Sequence, residues 1–275
     1  MKKSICLIMA VLTLMLTFTA CSEKEPEINT DNLPAITVGV SKGKNPQDEV
    51  LYGLELHFPE NGYKLEYKEY DDGQQAIEAL EKGEIDFTLI ATKHDYNLYG
   101  SDSLLNMGPV YFYPVAIYLK SWDSPDDIEN GASIAIPDDA ENMARALLLL
   151  EANGYITLKD GAGLNAKIED IEKNEKGYEI KPVAHDKVAD SGADILVMGS
   201  VEAMNAGYER GFDAVVSETS DSESAVEYAT IFLVRKADIN TAETELVKKY
   251  FFTRRMYNAI DGSNDNILAP MFDLK

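Results

Sequence analysis

The sequence predicts an α/β protein built as two lobes around a cleft. Strand-like and helix-like periodicities alternate along the chain, the pattern of a parallel sheet with helices on its faces. Two such runs of comparable size follow one another, and the C-terminal part of the chain returns to the first. The 275 residues are 45% apolar and 27% charged, ordinary for a globular chain long enough to bury a real core.

Residues 1–20 precede the first strand. Lys2 and Lys3 lead into Ile5–Ala20, a run of 16 residues without a charge. A membrane-spanning helix needs roughly 20 residues, so the run reads as an export signal. It ends in Phe18-Thr19-Ala20-Cys21, which resembles a bacterial lipobox, where the Cys21 thiol is acylated and becomes the first mature residue. Ordinary signal cleavage after Ala20 beside an incidental cysteine is the alternative. Ser22 to Asn32, rich in Glu, Lys, Pro and Asn, has no apolar periodicity and reads as a tether, so residues 21–33 form the anchor and spacer. The net charge is −23, and removing residues 1–20 takes away two lysines and no acid, leaving −25. Anionic lipid would repel such a body, so an acyl chain must hold it at the membrane.

From Pro34 the elements follow in order. Ala35–Val40 is a β-rich run that stops at the loop Gly43–Pro46. Asp48–His57 spaces Val50, Leu51, Leu54 and Leu56 as a helix does, and Tyr63–Tyr70 alternates as a half-buried strand does. Gln74–Lys82 is a helix with Gly83 where a C-cap belongs, and Ile85–Ile90 is a strand. Pro109–Leu119 is apolar throughout, with Tyr111-Phe112-Tyr113 as a buried strand or hinge. After a polar turn at Ser121–Gly131 the rhythm restarts with strand Ala132–Ile136. A long helix, Asp139–Asn153, ends at Gly154. Tyr178–Ala184, Ile195–Met198 and Val215–Val216 are strands, with a short helix around Glu202–Ala206. Tyr228–Val234 is the last strand, and Thr241–Ala259 the last helix. This reading assigns residues 34–117 and 235–275 to one lobe and 118–234 to the other.

Much chemistry is missing. Cys6 and Cys21 both fall in or at the edge of the signal, which leaves no disulfide framework and no zinc site. The acidic balance argues against nucleic acid as a partner. No Gly-x-Gly-x-x-Gly follows a strand, and there is no P-loop, Gly-x-Ser-x-Gly or His-Glu-x-x-His. Asp261, Ser263 and Asp265 mimic the start of a calcium loop, but Asn266 and Phe272 replace its glycine and bidentate glutamate. His57, His94 and His185 lie far apart, and Asp138 and Asp139 are placed to cap a helix. No catalytic residue, metal or cofactor is expected.

Arg145 is the candidate binding residue on physical grounds. It sits in the first two turns of a helix after a strand, where ligands of open α/β folds bind, and its fork fits a carboxylate. A surface arginine paired with Glu141 or Glu151 is the alternative.

The stretch Pro137-Asp138-Asp139-Ala140-Glu141-Asn142-Met143-Ala144-Arg145-Ala146-Leu147-Leu148-Leu149-Leu150 resembles the NlpA-type lipoproteins, the substrate-binding proteins of methionine ABC importers. Supporting stretches are Ile36–Gly39, Glu78-Ala79-Leu80 with Gly83-Glu84-Ile85-Asp86, Pro114–Tyr118, Asn130–Pro137 and Ala229–Arg235, so the likeness runs from about Ile36 to Phe251. It implies a two-lobed periplasmic-binding-protein fold of type II that closes on an amino acid and delivers it to a permease served by a cytoplasmic ATPase. By the resemblance, Arg145 grips the ligand carboxylate and Asn142 accompanies it.

Other family positions have changed. The family's Gln-His pair falls on Ala91-Thr92, an aromatic of its earlier loop lies nearest Tyr70, and two ligand-contacting asparagines fall on Gly199 and Thr230. His94 and Tyr96 are placed either to line the first lobe's wall or in a plain loop. Each lost buried polar contact is worth about 1–3 kcal/mol. The expected ligand is therefore a small carboxylate-bearing molecule, an amino acid or short peptide, with methionine admitted but not favoured. The whole reads as a monomeric, lipid-anchored binding protein exported to the face of the bacterial cell membrane. A sensor or surface-interaction lipoprotein without transport is the competing reading, and an enzyme on the same fold is the weakest.

Overall fold

The β-rich run Ala35–Ser41 forms strand β1 and buries Ile36, Val38 and Val40 in the core. The computed structural model describes residues 29–42, 48–262 and 267–272; the export signal, Cys21, the start of the tether and Ser263–Asn266 of the calcium-like segment lie outside them. Helix α1 (Asp48–His57), strand β2 (Lys64–Tyr70), helix α2 (Gly73–Glu81) and strand β3 (Phe87–Thr88) complete a parallel β/α unit, in which β1 pairs with both β2 and β3. Helix α3 (Lys93–Tyr99) and strand β4 (Leu104–Phe112) then lead to the other lobe.

That lobe starts with β5 (Val115–Leu119), β6 (Ser133–Pro137) and helix α4 (Ala140–Ala152). A two-stranded ribbon of β7 (Thr157–Leu158) and β8 (Ile171–Lys173) precedes β9 (Glu179–Val183) and β10 (Ile195–Gly199). Short helices α5 (Ser200–Asn205) and α6 (Arg210–Asp213) lead into β11 (Ala214–Ser217). The chain returns through α7 (Glu223–Tyr228) to β12 (Thr230–Arg235), α8 (Ala242–Phe251), α9 (Arg254–Asp261) and β13 (Ala269–Pro270). One sheet runs β13-β4-β12-β3-β1-β2 and the other β11-β5-β10-β6-β9. Both are mixed: β12 is antiparallel to β3 and β4, and β5 to β10 and β11.

The sheets redraw the expected lobe boundaries. Val115–Ile117, assigned to the first lobe, begin β5 in the second, and Thr230–Val234, assigned to the second, lie in β12 of the first. Side-chain packing gives the reason. Phe232 of β12 stacks on Phe251 at 4.8 Å between ring centres and meets Phe87 edge-on at 5.8 Å, all inside the first lobe's core. The second core gathers Leu147 and Leu150 of α4 with Ile134, Ile136, Ile195 and Val197 of the sheet beneath. The crossings therefore fall at Tyr113–Pro114 and across Glu218–Ser222.

Two helical expectations also change. The last helix breaks at Phe252, because Thr253 accepts a hydrogen bond from the Met256 amide and starts α9. The open choice at His94 and Tyr96 resolves to α3, which a capping box between Thr92 and Asp95 starts.

Candidate functional site

Helix α4 is set by its first residues. Pro137 ends β6, and the Asp139 carboxylate accepts the Asn142 amide at 3.0 Å, capping the helix. The Asn142 side chain donates to the same carboxylate at 3.1 and 3.2 Å. Ala144, Ala146, Leu147 and Leu150 are buried on the lobe side. Glu141, Arg145, Leu148 and Ala152, spaced at three and four residues, form another stripe along the helix.

Arg145 sits at the junction of both crossings. It is 7% exposed, and its Nη2 donates to the Tyr113 carbonyl and to Glu218 Oε2, each at 2.7 Å. Glu218 Oε2 also accepts the Val115 amide at 3.1 Å, and the Glu218 amide donates back to the Val115 carbonyl at 2.8 Å. Ser224 donates its hydroxyl to the other carboxylate oxygen. The Nε of Arg145 is buried with no hydrogen-bond partner, and the guanidinium carbon lies 5.6 Å from the centre of the Tyr228 ring. Arg145 is thus not a surface arginine paired with Glu141 or Glu151: it is buried with Glu218 as its ion pair, and Glu151 accepts the Leu158 amide instead. A cavity of about 450 Å³ opens beside the pair, lined also by Leu148, Val216, Thr219 and Ser222.

The first lobe gathers a separate group of polar side chains, which does not line that cavity. The Thr92 hydroxyl accepts the Asp95 amide at 3.0 Å, and Asp95 Oδ2 accepts both the Thr92 amide and hydroxyl at 2.8 Å. Thr92 and Thr230 pair as an isolated antiparallel bridge, and Thr230 is buried. The His94 ring lies 5.2 Å from that of Tyr228, and its Nδ1 is 3.4 Å from Glu227 Oε1. Glu227 also takes Lys93 Nζ and Asn97 Nδ2, each at 3.1 Å. Burial pushes the Glu227 carboxyl up, but hydrogen bonds from Lys93, Asn97 and His94 outweigh it and hold the group below the usual range. Burial likewise raises the Tyr228 phenol, helped by Glu141.

Glu141 lies in the first turn of α4. Desolvation raises its carboxyl, Arg145 and His94 oppose that rise, and Asp139 and Asp95 add to it. Its side chain is exposed and makes no hydrogen bond to protein among the described residues.

Of the residues the sequence singled out, Arg145 and Asn142 lie on α4, and Thr92, His94 and Thr230 lie together on the first lobe. Tyr70 and Tyr96 are half-buried in the cluster around Ile77 and Ile85, where burial raises the Tyr70 phenol. Gly199 ends β10 and starts α5, next to the Tyr113–Pro114 crossing, since the Ser200 amide donates to the Pro114 carbonyl at 2.9 Å. Sequence reasoning missed Glu218 and Tyr228 and used Glu141 only as an alternative partner. No periodicity signals Glu218, whose partner is 73 residues away.

The model of the family described as NlpA lipoprotein matches residues 36–272. A solved lipoprotein from Ruminococcus gnavus is 33% identical, with a TM-score of 0.66 over 87% of this chain and 99% of that one. The D-methionine-binding lipoprotein MetQ of Salmonella typhimurium is 28% identical over 86% of this chain and 84% of its own. A solved periplasmic substrate-binding protein of an ABC transporter from Coxiella burnetii is 26% identical, with a TM-score of 0.65 over 86% and 99% of the two chains. The Salmonella relative is named for binding D-methionine and the Coxiella one as a substrate-binding protein. Among the described residues, no helix is long and apolar enough to cross a membrane.

Proposed function

This chain belongs to the NlpA lipoprotein family, and from that premise we propose that it is the lipid-anchored solute-binding protein of an ABC importer whose ligand carboxylate is held by Arg145. The fold is the two-lobed periplasmic-binding type, and lobe closure with differential affinity is all that such transport requires of it. One observation carries the reading: a buried guanidinium stands where the two crossings meet, with its Nε unsatisfied and an aromatic ring of the opposite lobe beside it. A buried N–H without a partner is costly, and a carboxylate entering from the cleft would satisfy it.

The ligand class is a small carboxylate, an amino acid or short peptide. Asn142, Thr92, Tyr70, Tyr96, Gly199 and Thr230 are its further candidate contacts, and Thr92 and Thr230 are the pair the first lobe brings together. The partners are a membrane permease and a cytoplasmic ATPase, with Cys21 as the acyl anchor and the domain outside the cytoplasm.

A role as a sensor or surface-interaction lipoprotein has one observation in its favour: Glu218 already neutralises Arg145. A thermal-shift screen of residues 22–275 against amino acids, dipeptides and small carboxylates separates the two. Wild type is run beside Arg145→Lys and Arg145→Ala, after a denatured extract has been checked for retained ligand. A ligand at 100 times its dissociation constant adds about 2.7 kcal/mol, a visible rise in Tm. The importer reading expects at least one acid to stabilise wild type and neither variant. A screen without any hit favours the non-transport role.

A further inference from the structure

Cations crowd one place on an otherwise acidic chain. Lys248-Lys249-Tyr250-Phe251-Phe252-Thr253-Arg254-Arg255 holds four of the 25 Lys and Arg residues and no acid, although Asp and Glu number 48 in the whole sequence. Lys248 pairs with Glu245 at 2.6 Å. Lys249, Arg254 and Arg255 are exposed and form no salt bridge among the described residues. Arg254 and Arg255 stand in the first turn of α9, where the helix dipole disfavours positive charge, whereas α4 and α8 place glutamates in theirs. Helix stability does not account for the pair.

The two helices bring these cations to one end of the first lobe. Lys249 Nζ lies 5.5 Å from the centre of the Tyr250 ring, and that ring stacks on His57 at 4.6 Å. Burial, then Arg255 and Lys249, hold the His57 imidazole below its usual pKa against Glu60, whose carboxylate is 3.9 Å away. Phe252 is 37% exposed beside them, edge-on to Phe272 at 5.4 Å. Exposed cations with an exposed aromatic suit the headgroup layer of a bilayer. The tether enters the body at the same end. The Pro34 carbonyl accepts the Lys64 amide at 2.9 Å, and the segment just before Lys64 carries contacts to Tyr250. Asn61 Nδ2 donates to the Tyr250 hydroxyl at 2.9 Å, and the Phe58 ring lies 6.4 Å from that of Tyr250. Extended, the tether from Cys21 to Pro34 reaches roughly 45 Å, enough for the body to turn freely unless one of its faces holds to the lipid.

We propose that the face built by Lys249, Phe252, Arg254 and Arg255 rests on anionic lipid headgroups and orients the tethered body on the membrane, first lobe toward the lipid. The proposal rests on the acyl anchor at Cys21. Anionic lipid repels the acidic body as a whole, so the acyl chain retains it and the basic face sets which side turns to the bilayer. What Arg145 binds does not enter.

The test places the acylated mature protein on vesicles of phosphatidylcholine alone and of phosphatidylcholine with about a third phosphatidylglycerol. A fluorophore sits on Asn258→Cys, an exposed site one turn past Arg254, or on Glu175→Cys in the second lobe, and a nitroxide-headgroup lipid quenches it. Flotation with the neutral vesicles reports the anchor by itself. Phosphatidylglycerol should raise quenching at Asn258→Cys at least twofold and leave Glu175→Cys unchanged. In about 0.5 M salt, where the Debye length is about 4 Å, the rise should vanish. Arg254→Gln with Arg255→Gln should remove at least half of the rise, and adding Lys249→Gln should abolish it. Melting temperatures are the folding control, and the double variant, which takes two cations from the start of α9, should melt no lower than wild type. Lys159→Gln with Lys167→Gln and Lys173→Gln, three exposed lysines of the second lobe, should keep the full rise. Equal quenching on both vesicles, an equal rise at Glu175→Cys, or the same loss in the second-lobe variant overturns the proposal while flotation leaves the anchor standing. A chain that does not float with neutral vesicles overturns both.

Discussion

Replacing Glu218 by alanine should destabilise the unliganded protein severely. The side chains of Arg145 and Glu218 are 8% and 3% exposed, so removing the carboxylate strands a charge that water hardly reaches. Breaking a buried pair from one side costs about 3–5 kcal/mol. The Val115 amide and the Ser224 hydroxyl lose their acceptor as well, at about 1–3 kcal/mol for each buried group left unsatisfied. The cavity of about 450 Å³ beside the pair lets water take up part of these contacts, which places the expected loss near 4 kcal/mol rather than at the sum. With a urea m-value of about 3 kcal/mol/M, the upper end of the range for small proteins, the midpoint falls by about 1.3 M. The assay is urea unfolding of residues 22–275 at pH 7, followed by far-UV circular dichroism. Arg145→Met and the double variant complete the cycle, and the double variant should lose clearly less than the two single losses added together. A midpoint shift under about 0.3 M, or strictly additive losses, would refute the account of a dry ion pair binding the crossings together.

Three further outcomes follow from contacts elsewhere. Gly73→Ala should cost about 1–3 kcal/mol in a thermal melt, because a Cβ there would stand 2.3 Å from Asp95 Oδ2, a group fixed by Thr92. An unchanged Tm would show that the Asp95 cap moves freely. Tyr118→Phe should raise stability by up to about 1 kcal/mol, since its buried hydroxyl has no partner and burial drives the phenol pKa upward; a loss on denaturant titration would contradict this. Asp194 accepts the Ser133 hydroxyl at 2.6 Å and amide at 2.9 Å, and these bonds hold its carboxyl below the usual range. Its folded pKa is thus lower than the unfolded value near 3.9, so the stabilisation is present above about pH 4 and fades as pH falls through the folded value. The stability advantage of wild type over Asp194→Asn should shrink on acidification, and a constant difference from pH 6 to 3 would refute the assignment.

What the sequence conveyed was local. Helix α4 was legible because its cap, its apolar face and its glycine stop all lie within eighteen residues, from Pro137 to Gly154. Strand β12 was equally plain as a strand, yet its lobe was not, because alternation along Thr230–Arg235 says nothing about which sheet it joins. Helix α3 was left open: Lys93–Tyr99 is polar, buries no residue and is seven residues long, so its capping box was the sole signal. The candidate site divides in the same way. Arg145 could be found from its place after β6, whereas Glu218 and Tyr228 reach it only because the chain crosses between lobes a second time.

That second crossing would set the terms for a ligand at the proposed Arg145 site. Glu218 neutralises Arg145 before any carboxylate arrives, so an entering anion gains only the contact that Glu218 leaves unmade, at the Nε edge. Such a gain is about that of one charge-assisted hydrogen bond and is too small to select among acids by itself. Discrimination must then come from groups with no competitor inside the protein. The arginine proposed to hold the carboxylate bonds both crossings itself, so affinity and closure would rise together at that site.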